Sequence, residues 1–283
     1  MSLSRSFHLL TALSTALLLT GCGDDASEPV RTVFAAGRGE ARSSPRFSPD
    51  GAHIAYVSWA LASDTRDHGA AVMEADGTEA RMLTDYSDHV DWSADGTRIF
   101  LTGSFGKVFS VSREGGEVVL EYDEPNIEFL DVSPDGRSLV HTIPTFEGGV
   151  MRVLDLTTHA VSPLVEGRHS RAPVFSPDGA RVAYLEVASN GIQALRVLTR
   201  ATGEDVLVAN DVGALSSADW LPDGRLAAIV GNGITFFDLS GATPQGRQVH
   251  TEPGIKELDV SPDGKKMVYA INGQFHLYVL TGY

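Results

Sequence analysis

Short stretches in which apolar and polar residues alternate recur along the whole chain. Alternation with a period of two is the pattern of a half-buried β-strand. The clearest examples are residues 54–57, 99–101, 182–185 and 267–270. Clusters of glycine, proline, asparagine and aspartate separate these stretches and indicate tight turns. The hydrophobic pattern therefore predicts an all-β protein built from many short strands.

Each of these strands follows a turn with the sequence Ser-Pro-Asp-Gly or a near variant of it. In such a turn proline presets φ, the aspartate can cap its own turn, and glycine takes the left-handed position. The six copies end in Gly51, Gly96, Gly136, Gly179, Gly224 and Gly264. Successive glycines are 45, 40, 43, 45 and 40 residues apart, a period typical of a four-stranded propeller blade. The repeat predicts a six-bladed β-propeller of antiparallel blades.

The remaining strands of each blade are predicted from the same pattern. Asn-Gly pairs at 190–191, 232–233 and 272–273 predict hairpins between strands two and three. Third strands are expected at residues such as 71–73 and 150–154, and fourth strands at 80–84 and 204–208.

The predicted ring closes through its first strand. The last blade ends at Tyr283, directly after a predicted third strand at residues 275–280. Residues 30–35 precede the first inner strand, where a fourth strand would belong. We therefore expect them to complete blade six, because this removes two exposed sheet edges. The propeller then spans residues 30–283.

The blade signature resembles that of the TolB-like family of WD-type propellers. The first copy is Phe47-Ser48-Pro49-Asp50-Gly51 followed by Ile54-Ala55-Tyr56, and the resemblance covers all six repeats. It implies the fold, whereas function stays open because propellers serve as scaffolds, lyases, receptors and gates. The family also includes propeller domains of prolyl oligopeptidase-type enzymes. No Gly-x-Ser-x-Gly elbow occurs in this sequence, so we expect no such hydrolase activity.

Charge and cysteine content exclude several classes of function. The chain has 22 basic and 37 acidic residues, a net charge of −15. Such a chain does not attract a phosphate backbone through its overall field, so we expect no nucleic-acid partner. One cysteine excludes an intrachain disulfide and any site built from several cysteine ligands.

The N-terminus has the features of a targeting sequence. Residues 7–19 form an apolar run with the proportions of a secretory signal sequence and too short to span a bilayer. The following Leu19-Thr20-Gly21-Cys22 resembles the bacterial lipobox, which implies removal of residues 1–21 and diacylation of Cys22. Residues 22–29 would form a short tether, and acyl chains would hold the protein on the membrane. We expect a lipid anchor in the bacterial envelope, in the outer membrane and facing the periplasm.

The candidate binding residues lie on one face of the predicted propeller. This face carries the loops that lead into strand one of each blade and the loops that join strands two and three. Loops on one face of a rigid ring commonly carry function. The longest insertion contributes Trp59, Arg66 and His68. The other candidates surround the predicted channel mouth and are Asp88, His89, Glu128, Phe129, Phe146, His169, Arg171 and Glu257. Trp59 is either an interface anchor or ordinary packing at the edge of blade one.

Two sets of residues raise the question of a metal ion. His89 and His169 could ligate one with Asp88 or Glu128, as several histidines do in the pectic lyases that resemble this family. No third histidine occupies the equivalent position of another blade, so we expect neither a metal nor another cofactor.

Four aspartates precede the inner-strand hydrophobe of their blades: Asp91, Asp131, Asp219 and Asp259. They could line the channel and attract a cation or a basic peptide. We expect instead that each carboxylate bonds polar groups between neighbouring blades.

These observations predict a lipid-anchored envelope propeller that acts as a non-catalytic protein-binding or scaffolding module. The expected partner is an envelope protein or a peptide segment docked at the channel mouth. Two alternatives remain open. The first is a lipoprotein that binds a glycan or a small molecule, and the second is a metal-dependent lyase or hydrolase on the loop-rich face.

Overall fold

The computed structural model describes residues 29–61, 68–144, 150–210, 212 and 217–283. The predicted signal sequence and Cys22 lie outside these residues. The strands, in chain order, are β1 (Val30–Phe34), β2 (Glu40–Phe47), β3 (His53–Ala60), β4 (His68–Glu74), β5 (Arg81–Met82), β6 (His89–Trp92), β7 (Arg98–Thr102), β8 (Val108–Ser112), β9 (Val118–Tyr122), β10 (Phe129–Val132), β11 (Ser138–Ile143), β12 (Val150–Asp155), β13 (Val161–Val165), β14 (His169–Phe175), β15 (Arg181–Val187), β16 (Gln193–Thr199), β17 (Asp205–Asn210), β18 (Ala218–Trp220), β19 (Leu226–Val230), β20 (Gly233–Asp238), β21 (Gln245–Thr251), β22 (Ile255–Val260), β23 (Lys266–Ile271) and β24 (Leu277–Thr281).

The strands form six four-stranded antiparallel sheets, which are the blades of a propeller. Five blades each use four consecutive strands, from β2–β5 to β18–β21, and the sixth has the order β1-β24-β23-β22. The all-β, six-bladed prediction is confirmed. A short 3-10 turn occupies Ser104–Gly106. Over the ranges that the structure describes, no helix is long and apolar enough to cross a membrane.

The first strand closes the ring, as predicted. β1 pairs with β24 in a register that runs from Val30 opposite Thr281 to Phe34 opposite Leu277. The predicted bounds need small corrections, because β1 ends at Phe34 and the preceding strand of this blade starts at Leu277. β5 has two residues where five were predicted, so the outer edge of blade one is short.

Apolar side chains fill the spaces between neighbouring blades. Between blades six and one, for example, Phe34, Phe47 and Ile54 pack against Val268 and Leu277. The inner faces of the blades are thereby removed from water, which is the main stabilising contribution in such a ring.

The Ser-Pro-Asp-Gly turns act as predicted. In blade one the Asp50 carboxylate accepts the Ser48 hydroxyl at 2.5 Å and the Ala52 amide at 2.9 Å. Gly51 has a φ of 70°, which a side chain would make costly. The aspartates of these turns therefore have a structural role.

Hydrogen bonds from the inner strands link each blade to the next. The carboxylates of Asp91, Asp131, Asp219 and Asp259 accept backbone amides of the following blade at 2.6, 2.8, 2.7 and 2.7 Å. The expectation that these aspartates bond between blades is therefore confirmed.

Arg46 and Val174 replace the aspartate in blades one and four, and there the link is reversed. The next blade supplies a tryptophan whose indole N–H donates to the inner-strand carbonyl. Trp92 bonds the Arg46 carbonyl oxygen at 3.0 Å, and Trp220 bonds that of Val174 at 3.2 Å.

These two exceptional blades stand opposite each other in the ring, and both carry a β-bulge. The register shifts between Ser43 and Arg46 in one and between Arg171 and Val174 in the other. The residue at the bulge has a positive φ in both, 48° at Ser44 and 46° at Ala172. The bulges are 128 residues apart, the same separation as Gly51 from Gly179, Gly96 from Gly224 and Gly136 from Gly264. The propeller consists of two similar halves of three blades each.

Ring closure is tested by shortening one buried side chain of β1. Phe34 is 7% exposed and Val33 is 45% exposed. We expect Phe34→Ala to lower the free energy of unfolding by about 3 kcal/mol, because it removes a packed aromatic ring. Val33→Ala, the matched control, should change it by less than about 0.5 kcal/mol. Chemical denaturation measures both, and equal effects would contradict the packing of β1 in blade six.

Candidate functional site

Arg46 lies in the channel between two cavities. The cavity on the loop-rich face, here called the mouth cavity, has a volume of about 260 Å³. Its lining includes Arg46, His89, Phe129, Arg171, Ala172 and Lys256. A cavity of about 420 Å³ on the opposite face is lined by Arg46 together with the four inter-blade aspartates. Arg46 thus separates the two ends of the channel.

The Arg46 guanidinium, whose side chain is 16% exposed, is surrounded by carboxylates. Its Nε lies 3.8 Å from Asp259 Oδ1. Burial alone would lower the pKa of Arg46, but the charges of Asp259, Asp91, Asp131 and Asp219 raise it overall. Arg46 therefore stays positively charged at the base of the mouth cavity.

The aspartates around Arg46 are deprotonated less readily than usual. Burial, opposed by Arg46 and by backbone amides, raises the pKa of Asp91 to about 6. Burial and the neighbouring carboxylates raise the pKa of Asp131 and of Asp259 well above the ordinary value. One arginine cannot neutralise four carboxylates, so protons remain on part of this ring near neutral pH.

His89 is buried in the wall of the mouth cavity. Burial, followed by the positive charge of Arg46, lowers the pKa of its imidazole to about 3. The ring is therefore neutral at neutral pH. It packs edge-on against Phe129 with centroids 5.4 Å apart. Its Nδ1 has no hydrogen-bond partner among the described residues. A buried polar atom without a partner calls for an explanation, and a bound ligand is one such explanation.

Arg171 and Phe129 form the wall contributed by blades three and four. The Arg171 guanidinium donates to Glu128 Oε1 at 2.7 Å and lies 5.1 Å from the centre of the Phe129 ring. The ion pair and the aromatic ring hold the guanidinium at the cavity, while the remaining N–H groups of an arginine stay available to a ligand.

The wall on the other side of the cavity is formed by Ser44, Lys256 and Glu257. The Glu257 carboxylate accepts the Ser44 backbone amide at 2.7 Å, and Lys256 Nζ lies 3.9 Å from the same carboxylate oxygen. Because Ser44 has a positive φ, its amide points away from the usual strand partner and towards Glu257.

Trp59, His68 and Asp88 form a separate group on blade one. Trp59 stacks on His68 with centroids 4.1 Å apart and donates its indole N–H to Ser43 Oγ at 2.9 Å. His68 Nε2 lies 2.9 Å from Asp88 Oδ1. Each of these side chains is engaged in packing or hydrogen bonding within blade one and its neighbour.

The structure thus divides the predicted site residues into groups. His89, Phe129, Arg171 and Glu257 line the mouth cavity, and Glu128 forms an ion pair with Arg171. His169 begins β14, opposite Val187, and is not part of the cavity wall. Arg66 and Phe146 lie outside the described residues.

The sequence pattern did not single out Arg46, Lys256, Ser44 or Ala172. One signal for Arg46 was present, because it is the only basic residue at a position that four of the six blades fill with aspartate. The signal for Ser44 and Ala172 was the proline that follows each of them on an inner strand, since proline within a strand indicates an edge or a bulge.

The residues suggested as metal ligands do not converge. Asp88 bonds His68 and Tyr86, and Glu128 bonds Arg171. Over the described part of the chain no three histidine, cysteine or acidic side chains are arranged to hold a metal ion. No catalytic step through a metal is therefore assigned to them.

Known proteins resemble this chain in parts of its sequence and in its fold. No family model matches it. The uncharacterized peptidase YuxL of Bacillus subtilis (strain 168) is 32% identical over 154 residues, which are 50% of this chain and 21% of YuxL. The chain thus spans about a fifth of the length of that curated relative.

The solved structures share the fold at low sequence identity. TolB from Acinetobacter baumannii has a TM-score of 0.59 at 17% identity, over 88% of this chain and 56% of TolB. The fold is that of a TolB-like propeller. A gluconolactonase from Xanthomonas campestris has a TM-score of 0.71 at 14% identity, over 90% of both chains. An oligogalacturonate lyase in complex with manganese has a TM-score of 0.60 at 16% identity, over 86% of this chain and 74% of the lyase.

The prediction of a non-catalytic scaffold that is not an enzyme is wrong. The finding that overturns it is the similarity of half of this chain to a protein named as a peptidase, whereas the lactonase and lyase structures share the fold. The prediction failed because it took the absence of a contiguous catalytic motif as evidence against catalysis. In this TolB-like propeller the mouth cavity takes its side chains from several blades, and no local motif reveals such a site.

The aspartate ring gives a test of stability against pH. The pKa of Asp131 is raised in the folded protein, so its contribution to stability is full below the unfolded pKa and is lost as pH rises through the folded pKa. We expect Asp131→Asn, which keeps an oxygen for the Phe175 amide, to raise the free energy of unfolding on the order of 1 kcal/mol at pH 7. The gain should vanish near pH 4.

Asp135, in the turn of the same blade, is the matched control. Hydrogen bonds from the Ser133 hydroxyl and the Arg137 amide lower its pKa, so its contribution is present at neutral pH and is lost as pH falls. Asp135→Asn should therefore lower stability at pH 7. Denaturant unfolding from pH 4 to 8 measures both variants, and the same sign at pH 7 would contradict the burial of charge in the channel.

Proposed function

We propose that this protein is an enzyme whose active site is the mouth cavity. His89 acts there as the proton acceptor towards a small substrate. The observation that carries the proposal is the buried, neutral imidazole with an unpartnered Nδ1 in the wall of the cavity. The volume of about 260 Å³ suits a small molecule or the end of a longer one.

The surroundings of His89 supply part of what acid–base catalysis requires. With a pKa of about 3 the free imidazole is a weak base, and an anionic substrate beside it would raise that pKa. Removal of a proton leaves negative charge on the substrate, and the charges of Arg46, Arg171 and Lys256 around the same cavity stabilise it. Proton removal from water or from the substrate itself begins both ester hydrolysis and elimination. The lactonase and the lyase that share the fold support this class of chemistry.

Peptide cleavage is the second candidate, and the sequence similarity to YuxL favours it. A prolyl endopeptidase also shares the fold, with a TM-score of 0.54 at 19% identity over 82% of this chain and 38% of the peptidase. This sequence has no Gly-x-Ser-x-Gly elbow, so a serine-directed fluorophosphonate probe separates the two candidates. Labelling of the purified protein would favour a serine peptidase, and its absence with turnover would favour His89.

Replacement of His89 tests the active site. The purified protein is assayed with glucono-δ-lactone, oligogalacturonate and proline-containing peptides, and the products are followed by mass spectrometry. We expect His89→Asn to lower kcat/KM for the active substrate by about a hundredfold, because a positioned proton acceptor is lost. His159→Asn changes a histidine in an exposed turn and should leave turnover intact. Unchanged turnover by His89→Asn would refute the assignment.

We propose further that Cys22 anchors the enzyme to the bacterial envelope through acyl chains. The support is the lipobox-like Leu19-Thr20-Gly21-Cys22 after an apolar run. Cys22→Ser in the full-length chain should move the protein from the membrane fraction to the soluble fraction, because acyl chains supply the membrane affinity. Fractionation with palmitate labelling measures this, and continued labelling of the variant would contradict the anchor.

A further inference from the structure

The two halves of the propeller offer the same backbone amide to the mouth cavity. Ser44 and Ala172 occupy equivalent bulges, with φ values of 48° and 46°. The flanking pairs match as well, since Ser43 faces Val57 as Arg171 faces Leu185, and Arg46 faces Ala55 as Val174 faces Ala183. The Ala172 amide is therefore directed as the Ser44 amide is.

In the first half the protein itself supplies an anion to this amide. The Glu257 carboxylate accepts the Ser44 N–H at 2.7 Å and has Lys256 Nζ at 3.9 Å. One carboxylate thus meets one backbone donor and one cation at the cavity wall. This contact within the protein shows how the amide at the bulge, together with a nearby cation, binds a carboxylate.

In the second half the carboxylate is missing. Phe129 takes the position of Glu257, because Phe129 faces Thr142 in blade three as Glu257 faces Ala270 in blade six. A phenyl ring cannot accept the Ala172 amide as a carboxylate does. The cation is still present, because the Arg171 guanidinium lies 5.1 Å from the Phe129 ring. The second half therefore retains the donor and a guanidinium, which Glu128 already pairs at 2.7 Å, but it has no carboxylate at the position of Glu257.

The charge of the cavity wall favours an anionic ligand. Arg46, Arg171 and Lys256 line the cavity together with one carboxylate, that of Glu257, in a protein whose net charge is −15. His89, buried in the same wall with an unpartnered Nδ1, is a second and independent sign of a ligand. A negative charge beside His89 would also oppose the effect of Arg46 and strengthen the imidazole as a base.

We propose that the mouth cavity binds a carboxylate of its substrate at the Ala172 amide and the Arg171 guanidinium, in the place that Glu257 fills in the opposite half. This inference rests on the mouth cavity being the active site and names its substrate class. A sugar acid and the C-terminus of a peptide both provide such a carboxylate.

Paired ligands test the charge requirement. Calorimetric titration of the purified protein compares D-galacturonate with D-galactose, and acetyl-Ala-Pro with acetyl-Ala-Pro-amide. We expect the acid of one pair to bind at least about tenfold more tightly than its neutral counterpart, because a charge-assisted hydrogen bond is lost without the carboxylate. The pair in which the acid binds more tightly shows whether the carboxylate belongs to a sugar acid or to the C-terminus of a peptide. Equal affinities within both pairs, or no binding of either acid, overturn the proposal.

Two variants locate the carboxylate. Arg171→Gln should weaken binding of the preferred acid about tenfold or more, whereas Arg247→Gln, which removes an exposed arginine of β21, should not. Phe129→Glu supplies the carboxylate that the second half lacks, and it should displace the ligand, whereas Phe129→Leu should retain it. Melting temperatures confirm that each variant is folded. Unchanged acid binding by folded Arg171→Gln and Phe129→Glu refutes this location.

The two proposals fail in different ways. If the wild-type protein binds an acid preferentially but turns over no substrate, the carboxylate site is supported and the proposal of an enzyme is refuted. If turnover depends on His89 but acids bind no more tightly than their neutral counterparts, the carboxylate site is refuted and the proposal of an enzyme is supported.

Discussion

The hydrogen bond from one blade to the next is the constraint on which the rest of this propeller depends. Four blades meet it with a carboxylate that accepts the next blade's amide, and two meet it with an indole that donates to the preceding blade's carbonyl. The four aspartate carboxylates that join the blades bring negative charge into a channel shielded from water. Unpaired charge is costly there. Arg46 and retained protons reduce that charge. The cation at the base of the mouth cavity is thus a consequence of how the blades are joined.

The same constraint explains why the site is asymmetric in a ring of two similar halves. Blades one and four both lack the aspartate and both bulge, but one carries Arg46 and the other Val174. Around the bulges, Lys256 and Glu257 in one half correspond to Glu128 and Phe129 in the other. Small differences at equivalent positions therefore place a carboxylate at the bulge amide in one half and a phenyl ring in the other.

The fold could be predicted from the sequence because its signals are local and repeated. Each Ser-Pro-Asp-Gly turn fixes its own geometry, and six copies fix the blade number and the role of the first strand. The site could be predicted only in part. His89, Phe129 and Arg171 were found because they lie near the starts of inner strands, next to the mouth loops. Arg46 and Ala172 were missed because their surroundings come from other blades. A fourth strand of two residues, β5, was overestimated because alternation continues beyond the pairing. The expectation of a non-enzymatic module, which the peptidase relative contradicts, arose because side chains that meet across blades leave no contiguous motif.

The pairing of β1 with β24 also governs the order of events in folding. Most strand pairs join neighbours in sequence and can form as soon as each blade is made, whereas this pair joins the two ends of the propeller. Contacts between distant segments carry a large loop-closure entropy and form slowly. We therefore expect the propeller to complete its last blade after the others and the folded ring to open first at blade six. On this expectation the pairing of β1 with β24 governs the unfolding rate, as distinct from the equilibrium stability.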